Sequence, residues 1–148
     1  MRKGRNDVPQ LSFLSTTARH ALRAVLVLAH RDNDVWLPAP EIAEALDAPA
    51  NYLSKVLRLL AQRGLLESSR GPHGGFRLAV PASEITLADV LVVIDDSAPS
   101  AICLLGDRPC DLENPCVAHD RWTELKARMM EPLQGTTIAD FVTEKVEV

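Results

Sequence analysis

The 148-residue sequence has no run approaching about 18 consecutive apolar residues, the length that a membrane-spanning helix needs. Its start, Met1 to Gln10, is polar and has no apolar stretch of the kind found in secretory signals, so we expect no signal peptide and a cytosolic location. The sequence also lacks a nucleophile–His–acid set, a phosphate-binding loop and paired carboxylates at a recognised spacing. These absences argue against a membrane protein and against an enzyme.

The composition is that of an ordinary globular protein, with 47% apolar and 24% charged residues. The length fits one domain, or one small domain with a helical extension, and allows a core without disulfides. The charge is unevenly placed. Residues 1–81 contain 11 Lys/Arg against 7 Asp/Glu, whereas residues 82–148 contain 5 against 13. We therefore expect contact with a polyanion only in the first half.

The first half has the apolar periodicity of three helices followed by a hairpin. After a flexible basic arm over 1–13, the pattern predicts helices over about Thr16–His30 (with Ser15 as N-cap), Pro40–Leu46 and Ala50–Arg63, then strands over 65–69 and 76–80 joined by the glycine-rich turn 70–75. Two short helices joined by a tight turn and followed by such a hairpin are typical of a winged helix-turn-helix. The predicted DNA-binding domain covers residues 14–81.

The second half, residues 82–148, is predicted to be a cysteine loop and a helical dimerisation region. Capping-box spacing at Thr86–Asp89 opens a helix that runs to about Ile94, and a loop rich in Pro and Gly follows over 95–115. A fifth helix is predicted over about Cys116–Met130, stopped near Pro132, and a last short helix runs from Thr137 to about Lys145. The predicted fold class is therefore mainly α with a small β-hairpin wing.

The fifth helix carries an apolar stripe formed by Val117, Trp122, Leu125 and Met129. Such a stripe is either ordinary core or an interface between subunits. A winged helix that binds palindromic DNA needs a dimer, and no other element is available to form one. We therefore expect a homodimer through the helix at about 116–131.

The third helix presents polar side chains of the types that contact base edges and phosphates in a major groove. Its polar side is either a solvated face or a recognition surface, and the neighbouring hairpin favours the second reading. In the hairpin, Arg70 carries charge at the tip and could enter a minor groove, while the glycines allow close backbone approach or serve only the turn. The candidate DNA-binding residues are Asn51, Tyr52, Ser54, Lys55, Arg58, Arg70, Gly71, Gly74 and Gly75.

The three cysteines lie close together in the pattern Cys103-x6-Cys110-x5-Cys116, and His119 follows three residues later. Three thiolates on a short loop can converge on one inorganic centre, as iron–sulfur clusters require. The tight Cys-x2–4-Cys pair common in structural zinc sites is absent. The open alternatives are an iron–sulfur cluster, a thiol switch or zinc, and cysteines without a ligand. His119 is either a fourth ligand or a surface residue at a helix start.

The segments that begin at Ala21, Tyr52, Ile85 and Thr136, the wing Arg70-Gly71-Pro72-His73-Gly74-Gly75 and the cysteine triplet together resemble the Rrf2 family of bacterial transcriptional regulators. The resemblance covers about residues 14–142. It implies a wing in the minor groove and, most often in this family, a repressor.

In one group of family members, three cysteines and a histidine hold a 2Fe–2S cluster, and the matching positions here are Cys103, Cys110, Cys116 and His119. In another group, a carboxylate on the partner's first helix completes a 4Fe–4S site. The matching position here is Arg19, which cannot be a ligand. The resemblance therefore favours 2Fe–2S over 4Fe–4S.

The leading hypothesis is a homodimeric repressor that binds a double-stranded DNA operator and whose affinity is tuned by an iron–sulfur cluster. The main alternative is a cluster-free regulator of the same family that uses a thiol or zinc switch or a protein partner. An electron-transfer or cluster-carrier protein with a vestigial winged helix is a third possibility, which the basic first half and intact wing oppose.

Overall fold

The computed structural model describes residues 14–94, 103–106, 108 and 110–142. The predicted arm over 1–13, the segment 95–102 of the predicted loop and the predicted last-helix end at Lys145 lie outside these residues. The described elements are α1 (Thr16–Ala29), α2 (Ala39–Leu46), α3 (Ala50–Gln62), β1 (Leu66–Ser69), β2 (Gly75–Leu78), a 3₁₀ turn (Ala82–Glu84), α4 (Leu87–Ile94), α5 (His119–Gly135) and α6 (Ile138–Val142). The predicted fold class, mostly helical with a two-stranded wing, is confirmed.

The start of α1 and the turn between α2 and α3 agree with the signals in the sequence. The Ser15 side chain accepts a hydrogen bond from the Ala18 N–H at 3.1 Å, which caps α1. α2 ends at Asp47 in a left-handed conformation (φ 51°), and the three residues up to Pro49 make the turn into α3. Because this turn is short, α2 and α3 pack directly against each other. This contact fixes the direction of α3 relative to the rest of the domain.

The hairpin is attached to the body of the domain by backbone pairing. β1 and β2 are antiparallel, and Phe76 exchanges two backbone hydrogen bonds of 2.9 and 3.0 Å with Leu37. Gly75 has φ +154°, and a Cβ added there would collide with the Leu37 carbonyl. Only glycine allows so close an approach at this φ. On the outer face, the Arg77 guanidinium lies 4.2 Å from the centre of the Trp36 ring.

A single buried cluster holds the described helices other than α5 together. α1 contributes a face of small residues that lets neighbouring helices approach closely. The second half of the chain joins the same cluster through Ile85, Val90, Val93 and Ile138. Residues 82–142 therefore supply part of the core on which the helix-turn-helix rests.

α5 differs from the predicted helix at both ends. It begins at His119 and not at Cys116, because residues 116–118 form a turn, and it continues through Pro132 to Gly135. The prediction that Pro132 stops the helix was wrong. The proline removes only one helical hydrogen bond so near the end, and the Thr136 hydroxyl donates to the Pro132 carbonyl at 2.8 Å. None of the residues of α5 is buried in the chain described here.

The segment after α5 is fixed to the segment before α4. Thr86 and Thr137 form an antiparallel bridge, flanked by the Leu87 N–H to Thr136 O bond (3.0 Å) and the Ile138 N–H to Ile85 O bond (2.8 Å). The predicted capping box is confirmed, since Thr86 and Asp89 exchange bonds of 2.9 and 3.1 Å. Ile138, fully buried, then inserts into the core.

Across the described residues, no helix combines the length and apolarity needed to cross a membrane.

Replacing Gly75 with Ala is expected to destabilise the protein by about 1–3 kcal/mol, because of backbone strain at positive φ, with a further cost from the collision with Leu37. Urea denaturation followed by circular dichroism measures this change. Gly135→Ala is the matched control, because a Cβ there meets nothing within 4 Å and the residue ends a helix. Equal stabilities of the two variants would contradict the close approach.

Candidate functional site

α3 presents three of its five candidate residues to solvent. Asn51, Lys55 and Arg58 are exposed and recur at three- and four-residue spacing, so they share one face of the helix. The Ser54 hydroxyl donates to the Ala50 carbonyl at 2.8 Å, which leaves its oxygen able to accept a further bond. This face has the polar and cationic groups that read base edges and contact phosphates.

Tyr52, the fifth candidate on α3, is half-buried against α1. Its hydroxyl donates to Thr17 Oγ1 at 2.8 Å, and its ring lies edge-on to His20 with the ring centres 5.6 Å apart. These contacts brace the start of α3 against α1. Tyr52 therefore has a structural contact inside the domain, in addition to the DNA contact that the sequence predicts for it.

The wing places Arg70 at its exposed tip. Gly71 follows with φ +101°, a conformation that favours glycine. Gly74 is buried, and a Cβ added there would collide with the Ser69 carbonyl. Gly74 and Gly75 therefore have structural reasons to be glycine, while Arg70 and Gly71 form the accessible end of the hairpin.

Between α3 and the wing lies a cleft of about 770 Å³, lined by Arg58, Ala61, Gln62, Ser68, Ser69, Arg70, Gly75 and Phe76. Sequence reasoning missed Gln62 and the two serines. For Gln62 a signal was present, because it lies four residues after Arg58 on the same helix face. For Ser68 and Ser69 the strand pattern gave none, since it does not reveal which part of the hairpin lies beside α3.

The three cysteines come together as the sequence predicts. The Cys116 sulfur lies 3.4 Å from both the Cys103 and the Cys110 sulfur, and all three lie within 4.8 Å of one another. Two sulfurs on one tetrahedral ion with metal–sulfur bonds of about 2.3 Å lie about 3.8 Å apart. The donor set and its spacing thus fit a soft metal or an iron–sulfur centre. We call these three sulfurs the cysteine centre.

His119 lies next to the cysteine centre but is not part of it in this conformation. Its backbone N–H donates to the Cys116 carbonyl at 3.1 Å, in the turn that precedes α5. In the described part of the chain, the group of close metal-ligating atoms comprises the three cysteines without His119. The helix predicted from Cys116 would have placed the Cys116 and His119 side chains on one face, but α5 starts only at His119, so this arrangement does not form.

The thiols differ in their tendency to ionise. The backbone of Leu105, with hydrogen bonds from Cys110 and Cys116, lowers the pKa of Cys103. At Cys110 the backbone of Cys116 favours the thiolate. Hydrogen bonds with the Cys103 and Cys116 thiols, together with burial, outweigh this effect and raise the pKa of Cys110 to about 11. Loading a metal would therefore have to displace a firmly held proton from Cys110.

The comparisons with known proteins agree on one family. Residues 14–144 match the Rrf2 family, described as an iron-dependent transcriptional regulator. A protein of Aquifex aeolicus described as an HTH-type transcriptional regulator is 37% identical over 132 residues, which are 88% of this chain and 91% of that protein. The HTH-type transcriptional regulator IscR of Yersinia pseudotuberculosis is 31% identical over 132 residues, with 89% and 80% coverage.

Comparison of the fold with solved structures points to the same family. The solved structure of T. potens IscR superposes with a TM-score of 0.70 at 25% sequence identity, covering 91% of this chain and 90% of that chain. The matched residues include the helix-turn-helix, the wing and the cysteine centre, and all the named relatives are regulators. The chain therefore belongs to the Rrf2 family of helix-turn-helix transcriptional regulators and is not an enzyme.

Proposed function

We propose that the protein is a cytoplasmic, homodimeric repressor that binds a specific double-stranded DNA operator, with an affinity tuned by an iron–sulfur cluster. The observation that carries this proposal is the cysteine centre, three sulfurs within 4.8 Å of one another in a chain that also carries a helix-turn-helix. Family membership supports the DNA-binding part. The resemblance to regulators that are most often repressors supports the direction of the effect.

In the proposed complex, α3 lies in the major groove and the wing tip enters the adjoining minor groove. Asn51 is suited to adenine, and Lys55 to guanine or phosphate. Arg70 supplies charge at the wing tip, where the minor groove of A·T-rich DNA has strong negative potential. Tyr52 and Ser54 border the same surface, and Gly71, Gly74 and Gly75 allow the wing backbone to approach the DNA.

Cys103, Cys110 and Cys116 are the proposed cluster ligands, with His119 as the fourth and 2Fe–2S as the favoured type. A cluster bound there would supply a reactive centre, and its loss or oxidation would be the event that the protein senses. The His119 ring nitrogens are not among the close ligand atoms in this conformation, and the half-exposed position of His119 at the helix start leaves its side chain room to move. Imidazole is released more readily than thiolate, which suits a sensor.

The route from the cysteine centre to the DNA runs through α5. The backbone N–H of its first residue, His119, is hydrogen-bonded to the Cys116 carbonyl. Its far end is fixed beside α4 by the Thr86–Thr137 bridge. α6 then packs against α1, which in turn contacts α3. A change at the cysteines that moves α5 would therefore move elements packed around the recognition helix. Such coupling requires that the cluster bind the two arrangements with different affinity.

Dimerisation is proposed through α5. A helix of 17 residues with none buried gains little from its own chain, and Leu125 is exposed over 49% of its surface. Covering the apolar side formed by Trp122, Leu125 and Met129 with the same helix of a second copy would bury it. We retain residues 14–81 as the DNA-binding unit and 82–148 as the sensing and dimerisation unit.

Protein purified without oxygen is expected to be brown and to contain iron and sulfide. Cys116→Ala should lose both, because Cys116 is the thiol closest to both others. Val117→Ala is the matched control, since Val117 is its neighbour in the chain and is 94% exposed. Absorption spectra with iron, sulfide and zinc analysis distinguish an iron–sulfur cluster from zinc and from cysteines without a ligand. A wild-type protein that stays colourless after anaerobic reconstitution would rule out the cluster and favour the cluster-free alternative.

If the cluster regulates, Cys110→Ala should bind the operator with an affinity that no longer responds to oxidants, because the centre cannot form. Fluorescence anisotropy before and after exposure to peroxide or nitric oxide measures this. The same response in wild type and variant would show that the signal enters elsewhere.

The metal-free protein should react with iodoacetamide at Cys103 before Cys110. The thiolate is the nucleophile, so the lowered pKa of Cys103 brings its modification to lower pH. Modification of Cys110 should rise only as the pH approaches about 11. Peptide mass spectrometry over a pH series gives the order, and earlier labelling of Cys110 would contradict it.

Leu125→Asp is expected to convert the dimer to monomer, because it places a charge in the proposed apolar interface. Ala127→Asp is the control, since Ala127 is exposed on the opposite side of α5. Sedimentation velocity distinguishes the species. Dimers in both variants would show that α5 is not the interface.

A further inference from the structure

The segment before α1 has no part in the function proposed so far. Residues 1–13, which we call the arm, carry charges that are mostly positive. These charged residues are Arg2, Lys3, Arg5 and Asp7. Residues 14–81 contain 8 Lys/Arg against 6 Asp/Glu. The arm therefore supplies half of the positive excess in the first half of the chain, although it is much the shorter part.

The arm also lies outside the family pattern. The match to the Rrf2 family covers residues 14–144, and the arm precedes it. The function of the arm therefore depends on its own side chains and on the place where it joins the domain.

That place is beside the first turn of the recognition helix. The arm leads through Leu14 into Ser15, the N-cap of α1. In the first turn of α1, the Thr17 hydroxyl accepts a hydrogen bond of 2.8 Å from Tyr52, the third residue of α3. Asn51, next to Tyr52 in the chain, is exposed. The arm thus joins the domain next to the end of α3 whose side chains contact base edges in a helix-turn-helix complex.

The wing lies beside the other end of α3. Arg58, Ala61 and Gln62, from the second half of the helix, share a cleft with residues of the wing. With 13 residues, α3 is about 20 Å long, so the start of the arm and the wing are well separated. The major groove of a duplex has a minor groove on each side. When the wing enters one of these minor grooves, the arm starts on the side of the other.

The arm is long enough to reach that groove. Neighbouring major and minor grooves are about half a helical turn apart, which is about 17 Å. Arg5 lies nine residues before Leu14, and a chain of that length spans at most about 30 Å. The narrow minor groove of A·T-rich DNA attracts arginine and lysine side chains, and basic arms beside a recognition helix insert there in other folds.

We propose that the arm binds in the minor groove on the side of α3 opposite the wing, with Arg2, Lys3 and Arg5 as the contacting side chains. This inference rests on the proposed DNA-binding function. It gives each subunit minor-groove contacts on both sides of its recognition helix. It also predicts a preference for A·T base pairs where the arm enters the groove.

The test compares the full-length wild type with two triple variants of the arm. The arm variant loses three positive charges through Arg2→Ala, Lys3→Ala and Arg5→Ala. The matched control loses three uncharged polar side chains of the same segment through Asn6→Ala, Gln10→Ala and Ser12→Ala. All six positions precede the family domain, so both variants should fold, which circular dichroism verifies.

The probe is a duplex selected by the wild type from a random-sequence pool. Fluorescence anisotropy over a salt series gives the affinity and its salt dependence. Hydroxyl-radical footprinting reports which sugars the protein shields in the minor groove.

The arm variant should bind at least about tenfold more weakly, and the slope of log K against log salt should become shallower by about 2–3, because each lost cation contact releases about one counterion fewer. The arm variant should also lose protection of the minor groove on one side of the site and keep it on the wing side. The control should match the wild type in affinity, slope and footprint.

Binding by the wild type together with an unchanged slope and footprint for the arm variant overturns the arm proposal alone. A shallower slope with an unchanged footprint places the contact on phosphates and overturns the assignment to the minor groove. Equal losses in both variants show that charge is not the cause and also overturn it. If the wild type selects no duplex, the proposed function fails as well.

Discussion

The backbone pairing between residues 85–87 and 136–138 is the constraint on which the arrangement of the second half depends. Two reciprocal hydrogen bonds join segments about fifty residues apart in sequence, and buried Ile138 adds apolar contact beside them. Without this junction, α5 would be attached to the domain only through the cysteine loop and its packing on α4. With it, both ends of the helix are positioned.

The junction also forms part of the proposed connection between the half-buried cysteine centre and the DNA-binding surface. The cysteines lie on a loop with little buried surface, and a loop alone transmits no defined movement. A helix is stiff over its length, so its two fixed ends respond together. The bracing of α3 by Tyr52 and Thr17 places the recognition helix within the same packed network. The sensing proposal therefore rests on ordinary packing contacts from α5 through α6 and α1 to α3.

The chemical asymmetry of the hairpin is a second organising feature. Within the strands, Arg77 is satisfied by Glu67 and Trp36, whereas Arg70, at the exposed tip just after β1, forms no ion pair among the described residues. The close approach of Gly75 to Leu37 and the backbone pairing of Phe76 with Leu37 hold the hairpin against the body of the domain. The charge pairing that stabilises the hairpin thus lies within its strands, and the charge proposed to contact DNA lies at its tip.

The sequence by itself determined the elements, the fold class and the cysteine triplet, because helical periodicity, capping boxes and ligand spacing are local patterns. It misjudged both ends of α5: a turn at residues 116–118 delays the start, and Pro132 removes only one helical hydrogen bond so near the end. Only the tertiary structure decided that Tyr52 faces α1, that His119 stands apart from the three sulfurs and that Gln62, Ser68 and Ser69 share a cleft. These facts depend on contacts between distant segments, and no local pattern specifies them.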